Sequence, residues 1–167
     1  IIPSSTTAAA TINQNFDDIT ATGFAPSDNN LAVGPNHVIE IINHSSGSQF
    51  IIWNKAGVVV QGPTVLTSLT GIAGAGDPVV MYDQIADRWI LTEFAGASIN
   101  TLVWAVSTTN NPTGTYKIYS YTFPYSADYP HYSVWHNAYY GITHDFQPSY
   151  VGSSIYAFDR AAMLAGA

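Results

Sequence analysis

The chain has 167 residues, enough for one domain with a true core, yet only 9% are Asp, Glu, Lys or Arg, against roughly 25% in an average globular domain. The net charge of −7 and the scattering of the four basic residues, Lys55, Arg88, Lys117 and Arg160, argue against a nucleic-acid footprint and against binding to anionic membrane surfaces. Absence of cysteine removes thiol chemistry and disulfides, and no apolar run approaches the ~20 residues of a membrane-spanning helix. So weakly charged a surface is prone to association. It is either buried against copies of itself or other domains, or covered by carbohydrate. Because the sequence opens on Ile1 and not on Met, a processed chain is expected, with any secretion signal already removed.

Residues 1–30, rich in Ser, Thr, Ala and Asn, read as an extended arm with one strand around 10–19. Such an arm has no core of its own. It must lie on the rest of the chain or on a neighbour, and Ile12, Phe16 and Ile19 are its anchoring side chains. A β domain follows over 31–167. Its first repeat, about 31–66, holds apolar runs at 31–34, 38–43, 49–54 and 57–65, with turn residues between them. Residues 67–76, TSLTGIAGAG, read as a small-residue crossing; no Gly-Lys-Ser/Thr follows, so no phosphate cradle is expected.

The second repeat, about 77–124, is the clearest. Runs at 78–83, 88–94, 102–107 and 116–123 are separated by a tight turn at 83–87, a loop at 96–101 and the turn sequence NNPTG at 110–114. A meander of four antiparallel strands is predicted. The third repeat, about 129–164, departs after its third run: Asp159 reads as an N-cap, and RAAML (160–164) as one or two helical turns, so its fourth strand is missing. No helical periodicity occurs elsewhere. The 11 Tyr, 7 Phe and 4 Trp fall mostly inside the alternating runs, which places them between sheets.

Two columns support the repeat. Val38, Trp89 and Tyr139 lie 51 and 50 residues apart, and Phe50, Val103 and Ile155 lie 53 and 52 apart. A period near 50 with four strands per unit is what propeller blades show, although no WD or kelch signature accompanies it. The expected fold is all-β, with propeller-like repeats of four-stranded antiparallel blades. Eleven strands make three blades less one strand, and a ring needs at least four blades. Either the chain belongs to a longer polypeptide or neighbouring copies complete it.

The phrases NNLAVGPNHVIEIIN (29–43), GDPVVMYDQIADRW (76–89), AVSTTNNPTGTY (105–116), DYPHYSVWHNAYY (128–140) and YAFDRAAML (156–164) occur in an order that resembles a group of secreted or cell-surface bacterial proteins with propeller-like β repeats. The resemblance implies an extracellular location and the front part of a repeat-built module, often followed by more repeats, immunoglobulin-like modules or surface-sorting signals. Relatives often carry a cysteine pair that is missing here, and His136 stands where Pro is more usual. The family supplies no catalytic residue to carry over.

Chemistry candidates are few. Asp83 and Asp87 flank one turn; oxygen-rich loops at Asp77, or at Asp83-Gln84 with Asp87, are the candidates for calcium, and no EF-hand or nonapeptide pattern accompanies them. Together with Glu93, Asp128 and Asp145 they also offer carboxylates for a glycosidase pair, but Asp at turns ordinarily bonds nearby backbone amides. His131, His136 and His144 with Asp145 match no ligand spacing for a transition metal. Asn43-His44-Ser45 is the single allowed glycosylation sequon. Tyr125, Tyr129, Tyr132 and Tyr150 can stack on sugar rings or pack in the core. No catalytic residue and no cofactor is expected. The leading expectation is a non-enzymatic extracellular or cell-surface module acting through self-assembly. The alternatives are a carbohydrate-binding or carbohydrate-cleaving propeller, or a piece of a larger surface propeller protein.

Overall fold

A computed structural model of the protein describes residue 12 and residues 15–167. It is all-β, with three antiparallel sheets and two short helices. The first sheet is a meander of β1 (Asn30–Val33), β2 (His37–His44), β3 (Gly47–Asn54) and β4 (Val59–Val65). The second repeats it with β5 (Gly74–Asp83), β6 (Arg88–Ala95), β7 (Thr101–Ser107) and β8 (Tyr116–Thr122). The third has β9 (Ser126–Val134), β10 (Ala138–Phe146) and β11 (Tyr150–Asp159), and no fourth strand among the described residues. Eleven strands in groups of four, four and three follow from the turn sequences that cut the apolar runs.

Alternation along the strands gives each sheet two apolar faces, and the sheets pack face against face. Ile39, Ile41, Phe50 and Ile52 of the first sheet meet Trp89, Leu91 and Ala105 of the second. One residue out of phase, Ile90, Phe94, Trp104 and Val106 meet Tyr139 and Phe158 of the third sheet. Burying each such side chain is worth about 1.5–3 kcal/mol, so these two seams hold the fold. The polarity is constant: Val38, Trp89 and Tyr139 all face the preceding layer, the arm in the case of Val38, whereas Ile39 and Ile90 face the following one.

The second column needs correction. Phe50 pairs with Ile41, Trp104 with Thr92, and Ile155 with Ile142. Trp104, not Val103, is therefore the counterpart of Phe50 and Ile155. The loop between β6 and β7 (residues 96–100) is longer than that between β2 and β3 (residues 45–46), and a match that is off by one residue puts every side chain on the opposite face.

Two further expectations change. The 67–76 crossing contains a one-turn helix, α1 (Thr67–Thr70), closed by Gly71 in the left-handed region (φ 70°), and its last residues already belong to β5. The arm holds no strand between residues 15 and 29. That part folds back on its own chain, with Ile19 buried among Ile42, Ile51 and Trp53, and the Phe16 ring 5.6 Å from Trp53. It thus covers the outer face of the first sheet rather than a strand edge. Ile12 touches none of this and is 84% exposed; residues 1–11, 13 and 14 lie outside the described residues.

The chain closes with α2 (Arg160–Ala165), whose first turn is capped by the Asp159 side chain accepting from the Ala162 amide at 2.9 Å. Met163 of α2 plugs the seam between the second and third sheets.

Candidate functional site

Three features carry polar chemistry or accessible surface. The first is a cleft of about 570 Å³ where the opening strands of the repeats converge. Asp28, Asp77 and Asp128 line it, 49 and 51 residues apart, so each repeat contributes one carboxylate at its entrance. Asp28 (φ 45°) and Asp77 (φ 51°) both adopt the left-handed backbone that Asp tolerates better than most residues. The link between them is Asn43, whose Nδ2 donates to Asp28 Oδ2 at 2.7 Å and to the Pro26 carbonyl at 3.1 Å, while its Oδ1 accepts from the Asp77 amide at 2.9 Å. Asp77 Oδ2 in turn accepts from the Tyr129 amide at 3.2 Å. Burial, and then a hydrogen bond shared with the Asp128 carboxyl, push Asp77 up to about 6. Asp77 therefore keeps its proton to higher pH than an ordinary Asp and gives it up on the way to neutrality.

Asn43 is thus a structural clamp. Only 4% exposed and with its amide nitrogen engaged twice, it offers no room for a glycan, which corrects the sequon reading. Asn43→Ala leaves the part-buried Asp77 amide without its partner and removes the bonds to Asp28 and Pro26, and is expected to cost about 1–3 kcal/mol in urea unfolding.

The second feature is buried between the second and third sheets. Asp83 is fully buried and accepts from Arg160 Nε at 2.7 Å, Arg160 Nη2 at 3.2 Å, the Tyr139 hydroxyl at 2.8 Å, and the Ile85 and Ala86 amides. Burial alone would raise its pKa, but Arg160 and these donors hold it below the ordinary value. Both oxygens are committed, so Asp83 is no calcium ligand. Asp87 accepts from Asn110 Nδ2 at 2.7 Å and fixes the neighbouring turn. Among the described residues, no group of three or more His, Cys, Asp or Glu is placed to hold a metal ion.

Glu93 and Asp145 do not join the cleft. Glu93 is buried between the first and second sheets, against Gly74, where any Cβ would collide with its carboxyl group. Ser48 stands near it without a hydrogen bond of normal geometry, and burial pushes Glu93 up to about 7. Asp145 is spent within the third sheet, accepting from Thr143 Oγ1 at 2.9 Å and from Ser154 Oγ.

The third feature is the outward face of the third sheet. Tyr129 stands between His131 and His144, with ring centroids at 4.5 and 5.4 Å, and His144 meets Tyr150 at 5.7 Å. Ile142 and Ile155 lie on the same face. His136 is apart from them, edge-on to Trp135 at 5.3 Å. Tyr132 faces inward with its ring 5.1 Å from Trp104, and its hydroxyl is buried. Counterpart positions expose the anomaly. Ile41 and Thr92 are 0% exposed where Ile142 is 39%, and Phe50 and Trp104 are 1% and 0% exposed where Ile155 is 77%. In the first two sheets this face is sealed by the next layer. In the third it is open.

Sequence reasoning missed Asp28 and Arg160 as site residues. The 49- and 51-residue spacing could have found Asp28. Nothing local could have found the Asp83–Arg160 pair, which joins residues 77 positions apart.

No family model matches the chain, and no curated protein matches it significantly.

Proposed function

We propose that the protein is a non-enzymatic structural module of an extracellular or cell-surface assembly, a propeller-like stack of blades that works through self-association. The observation that carries this reading is the open face of the third sheet. It presents the positions that are sealed in both preceding sheets, including Ile155 at 77% exposure, and it follows the same polarity of stacking. The low charge of the chain supports it, since 9% charged residues give weak protection against association. Two of the buried carboxylates, Asp83 and Asp145, are tied to structural partners. The extracellular location rests on the resemblance of the sequence phrases alone.

Sedimentation velocity across a concentration series tests this. The intact chain should grow in mass with concentration. A variant carrying Ile142→Asp and Ile155→Asp should remain at 17.9 kDa with unchanged circular dichroism, because both side chains point away from the core. An intact chain that stays monomeric throughout would overturn the reading.

A second reading has its own observation. The run of Tyr129, His131, His144 and Tyr150 on one face is a platform on which a sugar ring can stack. A glycan array followed by Tyr150→Ala separates the two: binding lost in that variant favours carbohydrate recognition.

A further inference from the structure

Three sheets have six edges, and five of them carry a device that discourages strand pairing. The β1 edge is only 4 residues long. The β4, β5 and β9 edges contain Pro63, Pro78 and Pro130, and each has at least one register break. The β8 edge carries Lys117. The sixth, β11, has 10 residues and no Pro, Lys or Arg. Its one irregularity is at its start, and from Gly152 to Asp159 it pairs residue for residue with β10. On its free side, every second residue offers an N–H and a C=O with no strand among the described residues to receive them.

This free edge is also the vacant place in the repeat. In the first sheet β4 lies beside β3, and in the second β8 lies beside β7; β11 holds the position of β3 and β7. We propose that the edge of β11 takes residues 4–12 of a neighbouring copy as a fourth strand. This rests on the reading of the protein as an assembly subunit, and it specifies the contact.

The occupant follows from three observations. Neither β4 nor β8 contains a fully buried residue; Tyr116, Ile118, Tyr119 and Tyr121 of β8 pack partly buried against the two cores, and what the two fourth strands share is the main-chain ladder to β3 and β7. Residues 4–12, SSTTAAATI, have no charge and no Pro, and their three Thr favour extended backbone. Ile12, the described end of this segment, is 84% exposed and unused by its own chain.

Reach favours a neighbour over the same chain. Phe16 and Ile19 anchor the arm on the outer face of the first sheet, two layers from the third. Crossing two layers takes about 20 Å and an eight-residue ladder about 27 Å more, whereas fourteen extended residues span at most about 46–50 Å. Pairing within one chain would consume the whole segment. A neighbour stacked by the arm-covered outer face of its first sheet on the open face of the third brings the start of its arm out beside β11, so face and edge form one interface. The resulting contact is head to tail. It builds a ring if the rotation closes and a filament if it does not.

The chain has no cysteine, which permits a clean test. Two differently tagged variants of the full chain, Thr7→Cys and Ser154→Cys, are mixed and oxidised, with Ser120→Cys on the β8 edge as the control partner. The mixed disulfide with Ser154→Cys should exceed the control at least tenfold. Equal yields would overturn the proposal, as would a Thr7→Cys/Ser154→Cys double variant that closes its disulfide within a monomer. Removing residues 1–14 should lower the sedimenting mass to that of one chain while leaving the unfolding midpoint unchanged. If that truncated chain assembles as before while Ile142→Asp/Ile155→Asp does not, the strand proposal falls and the assembly reading stands. If the intact chain never assembles, both fall.

Discussion

Arg160→Ala is expected to be among the most damaging single substitutions in the chain, lowering stability by about 3–5 kcal/mol. Asp83 lies at the end of β5, Tyr139 on β10 and Arg160 on α2, so one carboxylate fastens the second sheet, the third sheet and the closing helix. Truncating Arg160 leaves that carboxylate fully buried, with Tyr139 and two amides as its remaining donors. Desolvation of the charge is then no longer offset. The double variant Asp83→Asn/Arg160→Met should lose less than Arg160→Ala alone, because it removes the charge together with its partner. Urea unfolding followed by tryptophan fluorescence measures this, with Trp89 and Trp104 buried in the two seams. A loss below about 1 kcal/mol for Arg160→Ala would show that the pair does not hold the layers together.

The second large effect has the opposite sign. Glu93 is buried without a hydrogen-bond partner, and its pKa is raised from 4.5 to about 7. A group raised on folding contributes its full share of stability below its unfolded pKa and loses it as pH rises through the folded value. The rise from 4.5 to about 7 corresponds to roughly 3 kcal/mol at most. Asp77, raised from 3.8 to about 6, acts in the same direction. Asp83, lowered by Arg160, protects the fold at the acid end and loses its share only as pH falls below the ordinary Asp value. Stability should therefore be greatest near pH 4–5 and fall towards neutrality. Glu93→Gln keeps the shape of the side chain and removes the titration. It should raise stability at pH 8 by about 2–3 kcal/mol, with little effect at pH 4. Thermal unfolding across pH 4–8 checks both halves, and parallel curves for the two proteins would contradict the burial of an ionising Glu93.

These two groups illustrate what could be read in advance. Strand positions were legible because apolar runs such as 102–107 are cut by strong turn residues such as NNPTG, and both signals are local. The missing fourth strand was legible too, since Asp159 and the helix-forming RAAML stand where a turn and another strand would be needed. Long-range pairings were not. Asp83 looks like any turn Asp until a fold brings Arg160 to it across 77 positions. Asn43 sits in a sequon that describes three residues and says nothing of burial. The slip from Trp104 to Val103 arose because matching apolar letters cannot fix the register across loops of different length, while strand pairing does so at once. Where residues 15–29 of the arm lie was not legible for a related reason. Composition shows that it cannot fold alone, but whether it covers a face or an edge depends on which surface needs covering, and Ile42, Ile51 and Trp53 provide an apolar face.

The same logic of covered faces frames the account of function. Each sheet buries the side that looks toward the following layer, until the third sheet, where Ile142, Ile155 and the Tyr129–His144–Tyr150 rings remain in solvent. Beside that face runs the one edge without a blunting device.

Electron microscopy of the concentrated, unmodified chain tests this claim most directly. The account predicts rings or filaments in which the subunits repeat head to tail, with density packed on the β10–β11 face and a fourth strand along β11. Isolated single-chain particles at every concentration, or assemblies joined through other surfaces, would contradict it.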